Sequence, residues 1–113
     1  MFEACANLTT PPVLSATILP NYAYANMFNN CTSLNNAPAL PAEELTSYCY
    51  TCMFAGCTNL KYAPPIMAKI LANNCCEDMF LGCTSLETAP ELLATTLAID
   101  CYYEMFYNCS SLK

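Results

Sequence analysis

Cysteine is the residue type in this chain whose spacing most suggests chemistry, because ten of the 113 residues are cysteines. Cys49 and Cys52 form a C-x-x-C pair, and Cys75 and Cys76 are adjacent in the sequence. For Cys52 and Cys76 the pattern leaves three interpretations: a zinc site, a disulfide bridge between neighbouring turns of the chain, or free thiols that fill the face of a helix. Zinc is disfavoured because the chain has no histidine and adjacent cysteines seldom bind one ion.

Carboxylates could act as paired acids and bases, and three groups lie close together in the sequence. The groups are Glu43 with Glu44, Glu77 with Asp78, and Asp100 with Glu104. They occupy variable positions of the repeat described below, so we interpret them as a solvated surface. The chain has two glycines and therefore no glycine-rich phosphate loop. We predict no catalytic residues, no metal and no cofactor, and hence a protein that is not an enzyme.

The cysteines belong to a repeat of 26 residues that accounts for the whole chain. The motif MFAGCTNL at 53–60 returns at 27–34 and at 79–86, and weaker copies begin at Met1 and Met105. A fixed period of this length is typical of stacked repeats that share one continuous core. The sequence predicts a single domain with repeats 1–26, 27–52, 53–78 and 79–104 and a partial repeat 105–113.

The repeat also predicts local structure. Glycine or asparagine at its fourth position, as at Asn30 and Gly56, favours a left-handed residue at the end of a short helix. That helix is expected near Tyr22, Tyr48, Asn74 and Cys101. A short strand is expected to begin near Leu8, Leu34, Leu60 and Leu86 and to end at the following proline. A polar pair such as Thr32-Ser33 predicts a corner between the two elements.

Inward positions follow from the same alignment. The residues predicted to face the core include Leu14, Leu40, Ile66 and Leu92, Ala16, Ala42, Ala68 and Ala94, and Leu19, Leu45, Leu71 and Leu97. Two columns of cysteines, led by Cys5 and Cys49, are expected to be buried, reduced and small hydrophobic residues.

Composition excludes several kinds of partner. Nine acidic residues against three lysines give a formal net charge of −6. Nucleic-acid binding needs a basic surface, so no nucleic-acid partner is expected. An anionic membrane is disfavoured for the same reason. No run reaches the roughly 18 apolar residues of a membrane span, so no membrane insertion is expected.

The recurring motif, seen best at 27–45 and 79–97, resembles the BspA-type leucine-rich repeat of bacterial surface proteins. The resemblance covers the whole chain and recurs five times in register. It implies a right-handed parallel stack, an α/β repeat solenoid with one strand and one helix in each 26-residue turn. It further implies a secreted or cell-surface protein that functions in adhesion or partner binding, and it provides no catalytic residues.

Two functional interpretations remain open. The first is a non-catalytic protein-interaction or adhesion module, with a protein or cell-surface partner and a contact surface formed by Thr9, Asn35, Lys61, Glu87 and Tyr62. The second is a structural spacer or fibre component built by stacking. Since neither end of the sequence shows a polar capping segment, we expect part of a longer array with flanking repeats, or end-to-end self-association.

Overall fold

The computed structural model of the protein describes residues 3–113, and the expectations for Met1 and Phe2 lie outside this range. Within residues 3–113 there is no helix and no extended β-strand. Hydrogen-bonded turns and five isolated parallel bridges provide the regular main-chain contacts. The bridges join Leu40 to Ile66, Glu44 to Ile70, Tyr62 to Thr88, Ile66 to Leu92 and Ile70 to Thr96.

Every bridge joins residues 26 positions apart, so the period of the sequence is also the register of the structure. The chain forms stacked coils: coil 1 ends at residue 26, coil 2 spans 27–52, coil 3 spans 53–78 and coil 4 spans 79–104, followed by 105–113. The phenylalanine rings stack in the same register. Ring centroids are 5.5 Å apart from Phe28 to Phe54 and from Phe54 to Phe80, and 5.8 Å apart from Phe80 to Phe106.

Residues 20–31 and their equivalents in later coils form one side of the stack, which we call the turn face. Its main-chain N–H groups alternate between two kinds of partner. The N–H of Thr51 donates to the carbonyl of Tyr48, three residues earlier, at 3.2 Å. The N–H of Tyr50 donates to the carbonyl of Cys75 in coil 3, at 2.8 Å. Half of these amides therefore close β-turns, and the other half join one coil to the next.

Every fourth residue of the turn face has left-handed backbone, with φ between 48° and 73°. These residues are Tyr22, Asn26, Asn30, Tyr48, Cys52, Gly56, Asn74, Asp78, Gly82, Asp100, Glu104 and Asn108. The positive φ falls on the third residue of every second turn, so type II turns alternate with type I turns. Glycine, asparagine and aspartate adopt this conformation at the least cost, which explains their recurrence at this spacing.

The core lies between the turn face and the opposite side of the stack, residues 36–45 and their equivalents, which we call the bridge face. Pairs of buried side chains follow several of the left-handed residues, such as Met53 and Phe54 after Cys52. The bridge face contributes Leu40 and Ile66. Burying one such large side chain contributes roughly 1.5–3 kcal/mol, and each column repeats that contribution in successive coils.

The prediction of a short helix in each repeat is wrong. Asn30 and Gly56 do have the expected left-handed backbone, with φ of 61° and 73°, but they do not end a helix. They are two members of a series of left-handed residues spaced by four. Such a series excludes the uninterrupted right-handed backbone and the i to i−4 hydrogen bonds of an α-helix.

The prediction of a strand from Leu34, and from its equivalents, to the following proline is also wrong. Leu34 and Leu60 are buried as expected, but the bridges of coil 3 form at Tyr62, Ile66 and Ile70, on both sides of Pro64. Since proline has no N–H to donate, it interrupts any continuous ladder. A turn does form at the polar pair, because the N–H of Leu34 donates to the carbonyl of Cys31 at 3.1 Å, but it joins neither a helix nor a strand.

The α/β repeat solenoid with a helix and a strand in every turn is therefore corrected, and so is the leucine-rich-repeat organisation. The chain is a compact body of 33 × 28 × 17 Å made of stacked turns. Three predicted inward residues are exposed: Ala16 in coil 1, and Leu92 and Leu97 in coil 4, which are 41% and 63% exposed. Residues 3–113 contain no helix long and apolar enough to cross a membrane.

Candidate functional site

A groove of about 530 Å³ lies between coil 1 and coil 2 on the bridge face. Its lining consists of Thr17, Ile18, Leu19, Pro41, Glu43, Glu44 and Thr46. Ile18 is 90% exposed, whereas Leu19 beside it is buried. Glu43 and Glu44 are exposed on the coil 2 side. The groove therefore combines an apolar side chain open to solvent with two adjacent carboxylates.

The groove exists because the main-chain pairing of the later coils is missing here. Between coils 2 and 3, the N–H of Lys69 donates to the carbonyl of Glu43 at 2.9 Å, and that of Leu45 donates to Ile70 at 3.0 Å. Both bonds recur between coils 3 and 4 at 3.0 Å, in the pairs Thr95 to Lys69 and Leu71 to Thr96. Within residues 3–113 neither bond has a counterpart between coils 1 and 2.

Four main-chain groups are left without a protein partner in the described chain as a result. The N–H of Glu43 and the carbonyl of Glu44 are equivalent to the groups of coil 3 that point towards coil 2, so they face the groove from the coil 2 side. The carbonyl of Thr17 and the N–H of Leu19 would be their partners in coil 1. Main-chain donors and acceptors are strong hydrogen-bonding groups. A groove with one open donor and one open acceptor on each side can therefore bind the main chain of another segment.

The separation of the two coils begins and ends at defined contacts. On one side of it, the N–H of Asn35 donates to the carbonyl of Thr9 at 3.4 Å. On the other side, the hydroxyl of Thr46 donates to the carbonyl of Pro20 at 2.9 Å. The segment between Thr9 and Pro20 contains Pro11-Pro12, where the later repeats have Ala-Pro. Coil 1 is therefore attached at both ends and open between them.

Sequence reasoning missed most of this site. Thr17, Ile18, Leu19, Pro41 and Thr46 were not predicted as site residues, and Glu43 with Glu44 was interpreted as solvated surface. The two carboxylates are exposed, as that interpretation implied. The signal that could have found the groove is Pro11, which stands where the later repeats have alanine.

The predicted contact surface forms a row on another part of the molecule. Main-chain bonds join Asn35 to Thr9 at 3.4 Å and Glu87 to Lys61 at 2.8 Å, so equivalent residues of successive coils lie above one another. Tyr62 follows Lys61 and is 58% exposed. The structure brings these five residues onto one edge of the stack, outside the groove. Their contact with a partner stays a prediction.

Cys52 and Cys76 carry free thiols in the structure, where Cys52 is half-buried and Cys76 is buried. The sulfur of Cys76 lies 3.9 Å from that of Cys75. Residues 3–113 contain no group of three or more histidine, cysteine, aspartate or glutamate side chains that could hold a metal ion. Cys52 is therefore partly accessible to solvent, whereas Cys76 lies in the core.

In the column of cysteines that starts at Cys5, thiols donate hydrogen bonds to main-chain carbonyls. The thiol of Cys57 donates to the carbonyl of Phe28 at 3.1 Å, and that of Cys83 donates to Phe54 at 3.0 Å. Burial, followed by the nearby Cys31, raises the pKa of the Cys57 thiol to about 12. A buried thiol with a raised pKa is a poor nucleophile, because the thiolate is the reactive form. This column serves packing.

Asp78 is a titratable residue of the turn face whose pKa is shifted. Asp78 has one carboxylate oxygen that is buried without a hydrogen-bond partner in the described structure. Burial raises the pKa of Asp78, and the neighbouring carboxylates of Glu77 and Glu104 raise it further. No cation-binding geometry accompanies these acids in residues 3–113.

No protein family, curated protein or solved structure matches the chain. The likeness to BspA-type repeats is thus an interpretation of the recurring motif. The assignments that depended on regular α/β repeats, leucine-rich repeat and solenoid, are corrected by the absence of helices and strands in residues 3–113. Neither the structure nor the comparisons support a cell-surface location or a role in adhesion.

Proposed function

We propose that the chain is a non-catalytic protein-interaction module that binds its partner in the groove between coils 1 and 2. The observation that carries the proposal is the interrupted main-chain pairing beside Glu43 and Glu44, since it leaves hydrogen-bonding groups open next to an exposed apolar residue. The groove holds carboxylates and hydroxyls but no cysteine, histidine or lysine. Open main-chain donors and acceptors beside an apolar side chain are features that allow a partner to add an extended segment.

The test is selection of binders from a displayed library of small folded domains and short fragments. The immobilised full chain is compared with Ile18→Asp, which places a charge in the groove. Ile99→Asp is the matched control, because Ile99 is also an exposed isoleucine, at 70%, but lies on the turn face of coil 4. We expect clones that bind the wild-type chain and the control and lose binding to Ile18→Asp. Binders indifferent to Ile18→Asp, or no binders, would refute the proposal.

A second candidate, assembly by stacking, is favoured by the polarity of the turn face. In coil 4 the N–H groups of Tyr102 and Glu104 have no partner within residues 3–113, although their equivalents in coil 3 are bonded to coil 4. In coil 1 the carbonyls of Ala23 and Ala25 likewise accept no bond from the described chain. One end of the stack thus presents donors and the other acceptors, which favours head-to-tail association.

Sedimentation velocity at increasing concentration, combined with amide exchange, tests this candidate. We expect a rising sedimentation coefficient together with slower exchange of the Tyr102 and Glu104 amides at high concentration. The Tyr50 amide, already bonded to coil 3, is the internal control and is expected to exchange slowly throughout. A monomer at all concentrations would exclude assembly.

A further inference from the structure

We infer that the groove binds an extended peptide carrying lysine or arginine, by strand pairing with the main chain of coils 1 and 2. This inference rests on the proposed function and adds the chemical class of the ligand. Two properties of the groove point to it: the pattern of unpaired main-chain groups, and the charge beside them.

The unpaired groups define the backbone conformation of the ligand. The N–H of Glu43 and the carbonyl of Glu44 correspond to the Lys69 N–H and Ile70 carbonyl, which pair with coil 2 in a parallel bridge arrangement. An extended peptide offers carbonyl and N–H groups with the same alternation. It can therefore form the bonds that coil 1 leaves unformed, as in other cases of strand addition to an open edge. A helical ligand cannot, because its main-chain groups are already paired.

The side chains define the preferred sequence. Glu43 and Glu44 are adjacent and exposed, and neither has an ion-pair or hydrogen-bond partner for its side chain within residues 3–113. A lysine or arginine of the ligand can meet these carboxylates. The exposed Ile18 and the ring of Pro41 provide apolar contact for alternate side chains, which project to the other side of an extended chain. The ligand is therefore an alternating apolar and basic segment.

The lining residues limit the length of the ligand. On the coil 2 side the lining runs from Pro41 to Thr46, and there the Thr46 hydroxyl donates to the Pro20 carbonyl, where coil 1 rejoins coil 2. An extended segment rises about 3.3 Å per residue, so a peptide of roughly seven residues covers the lined part of the groove.

The test uses a fluorescent seven-residue peptide of alternating valine and lysine and measures anisotropy with the full chain. A glycine–lysine peptide of equal charge controls for general attraction to the acidic protein, and a valine–glutamate peptide reverses the charge. We expect binding of the valine–lysine peptide, about tenfold weaker binding of the glycine–lysine peptide, and no binding of the valine–glutamate peptide.

Variants locate the site. Glu43→Gln combined with Glu44→Gln is expected to weaken binding roughly fivefold, and Glu91→Gln, an exposed acid in coil 4, is expected to leave it unchanged. The amides of Glu43 and Leu19 should exchange more slowly with the peptide bound. Equal binding of both lysine peptides, no binding, no effect of the double variant or no added amide protection would each overturn the inference.

The two proposals can fail separately. If displayed folded domains bind the wild-type chain and lose binding to Ile18→Asp while the peptides do not bind, the groove is an interaction site and the ligand class is wrong. If neither domains nor peptides depend on Ile18, the interaction site itself is wrong.

Discussion

Left-handed backbone at residues other than glycine, asparagine and aspartate is a local cost within the turn face. An L-residue in this conformation is less stable by about 1–2 kcal/mol. At Tyr48 a stacking contact compensates, because its ring lies parallel to that of Tyr22 with centroids 4.9 Å apart. Cys52 has φ of 53°, and its half-buried thiol makes no such contact. Cys52 is therefore a position where the sequence does not match its backbone.

Replacing Cys52 by asparagine is expected to stabilise the fold. Asparagine tolerates left-handed backbone better than cysteine, and Asn26 occupies the equivalent position of coil 1 with φ of 58°. The free energy of unfolding should rise by about 0.5–1 kcal/mol. Urea denaturation followed by circular dichroism measures it.

The matched control is Ser47→Asn on the same face. Ser47 has negative φ, and asparagine occurs at the equivalent positions Asn21 and Asn73. Its effect should stay within about 0.5 kcal/mol of zero. If Ser47→Asn stabilised the fold as much as Cys52→Asn, the backbone argument would fail.

At the scale of the element, the sequence contained the pattern of the turn face but suggested the wrong structure for it. Cys49 and Met53, and likewise Tyr50 and Phe54, are four residues apart and buried, a spacing that is also typical of the apolar stripe of a helix. The turn face repeats every four residues. Over a segment of about eight residues, that period is hard to distinguish from the 3.6-residue period of a helix. The distinguishing signal is the recurrence of glycine, asparagine and aspartate at the same spacing, which a helix interior does not tolerate.

The 26-residue register was readable from the sequence, whereas the groove was not. Recurrence of Phe28, Phe54 and Phe80 in one column requires that equivalent residues stack, and their rings do. The groove depends on where coil 1 departs from coil 2. That departure depends on the free energy of the main-chain bonds between coils 1 and 2, compared with the conformation that the Pro11-Pro12 segment imposes. Alignment of the repeats does not measure that difference.

At the scale of the molecule, buried thiols connect stability to pH. Burial raises the pKa of Cys49 to about 11 and of Cys57 to about 12, and it raises the pKa of Cys83 as well. In the unfolded chain a thiol has a pKa of about 8.5. Between these values the folded state binds more protons than the unfolded state, so stability falls as pH rises. The contribution is complete below about pH 8.5 and is lost towards the folded-state pKa values.

We therefore expect the urea midpoint to be constant from about pH 7 to 8 and to fall steeply from about pH 9 to 11. Cys57→Ala should have a lower midpoint at neutral pH and a shallower alkaline decline, because one titrating group is gone. Met79→Leu, another change at a fully buried residue, should leave the decline unchanged. A midpoint independent of pH up to 11 would show that these thiols do not limit stability.

The one-way direction of the coil-to-coil hydrogen bonds on the turn face makes the molecule electrically polar. Peptide dipoles that point the same way add, as they do in a helix. Here they add although residues 3–113 contain no helix. The donor end, at coil 4, is the positive pole. The left-handed positions change in that direction: Tyr22 and Asn26 in coil 1 are uncharged, and Asp100 and Glu104 in coil 4 are acidic. The chain thus places negative charge at its positive pole, so the turn face acts as a macrodipole with its own counter-charges.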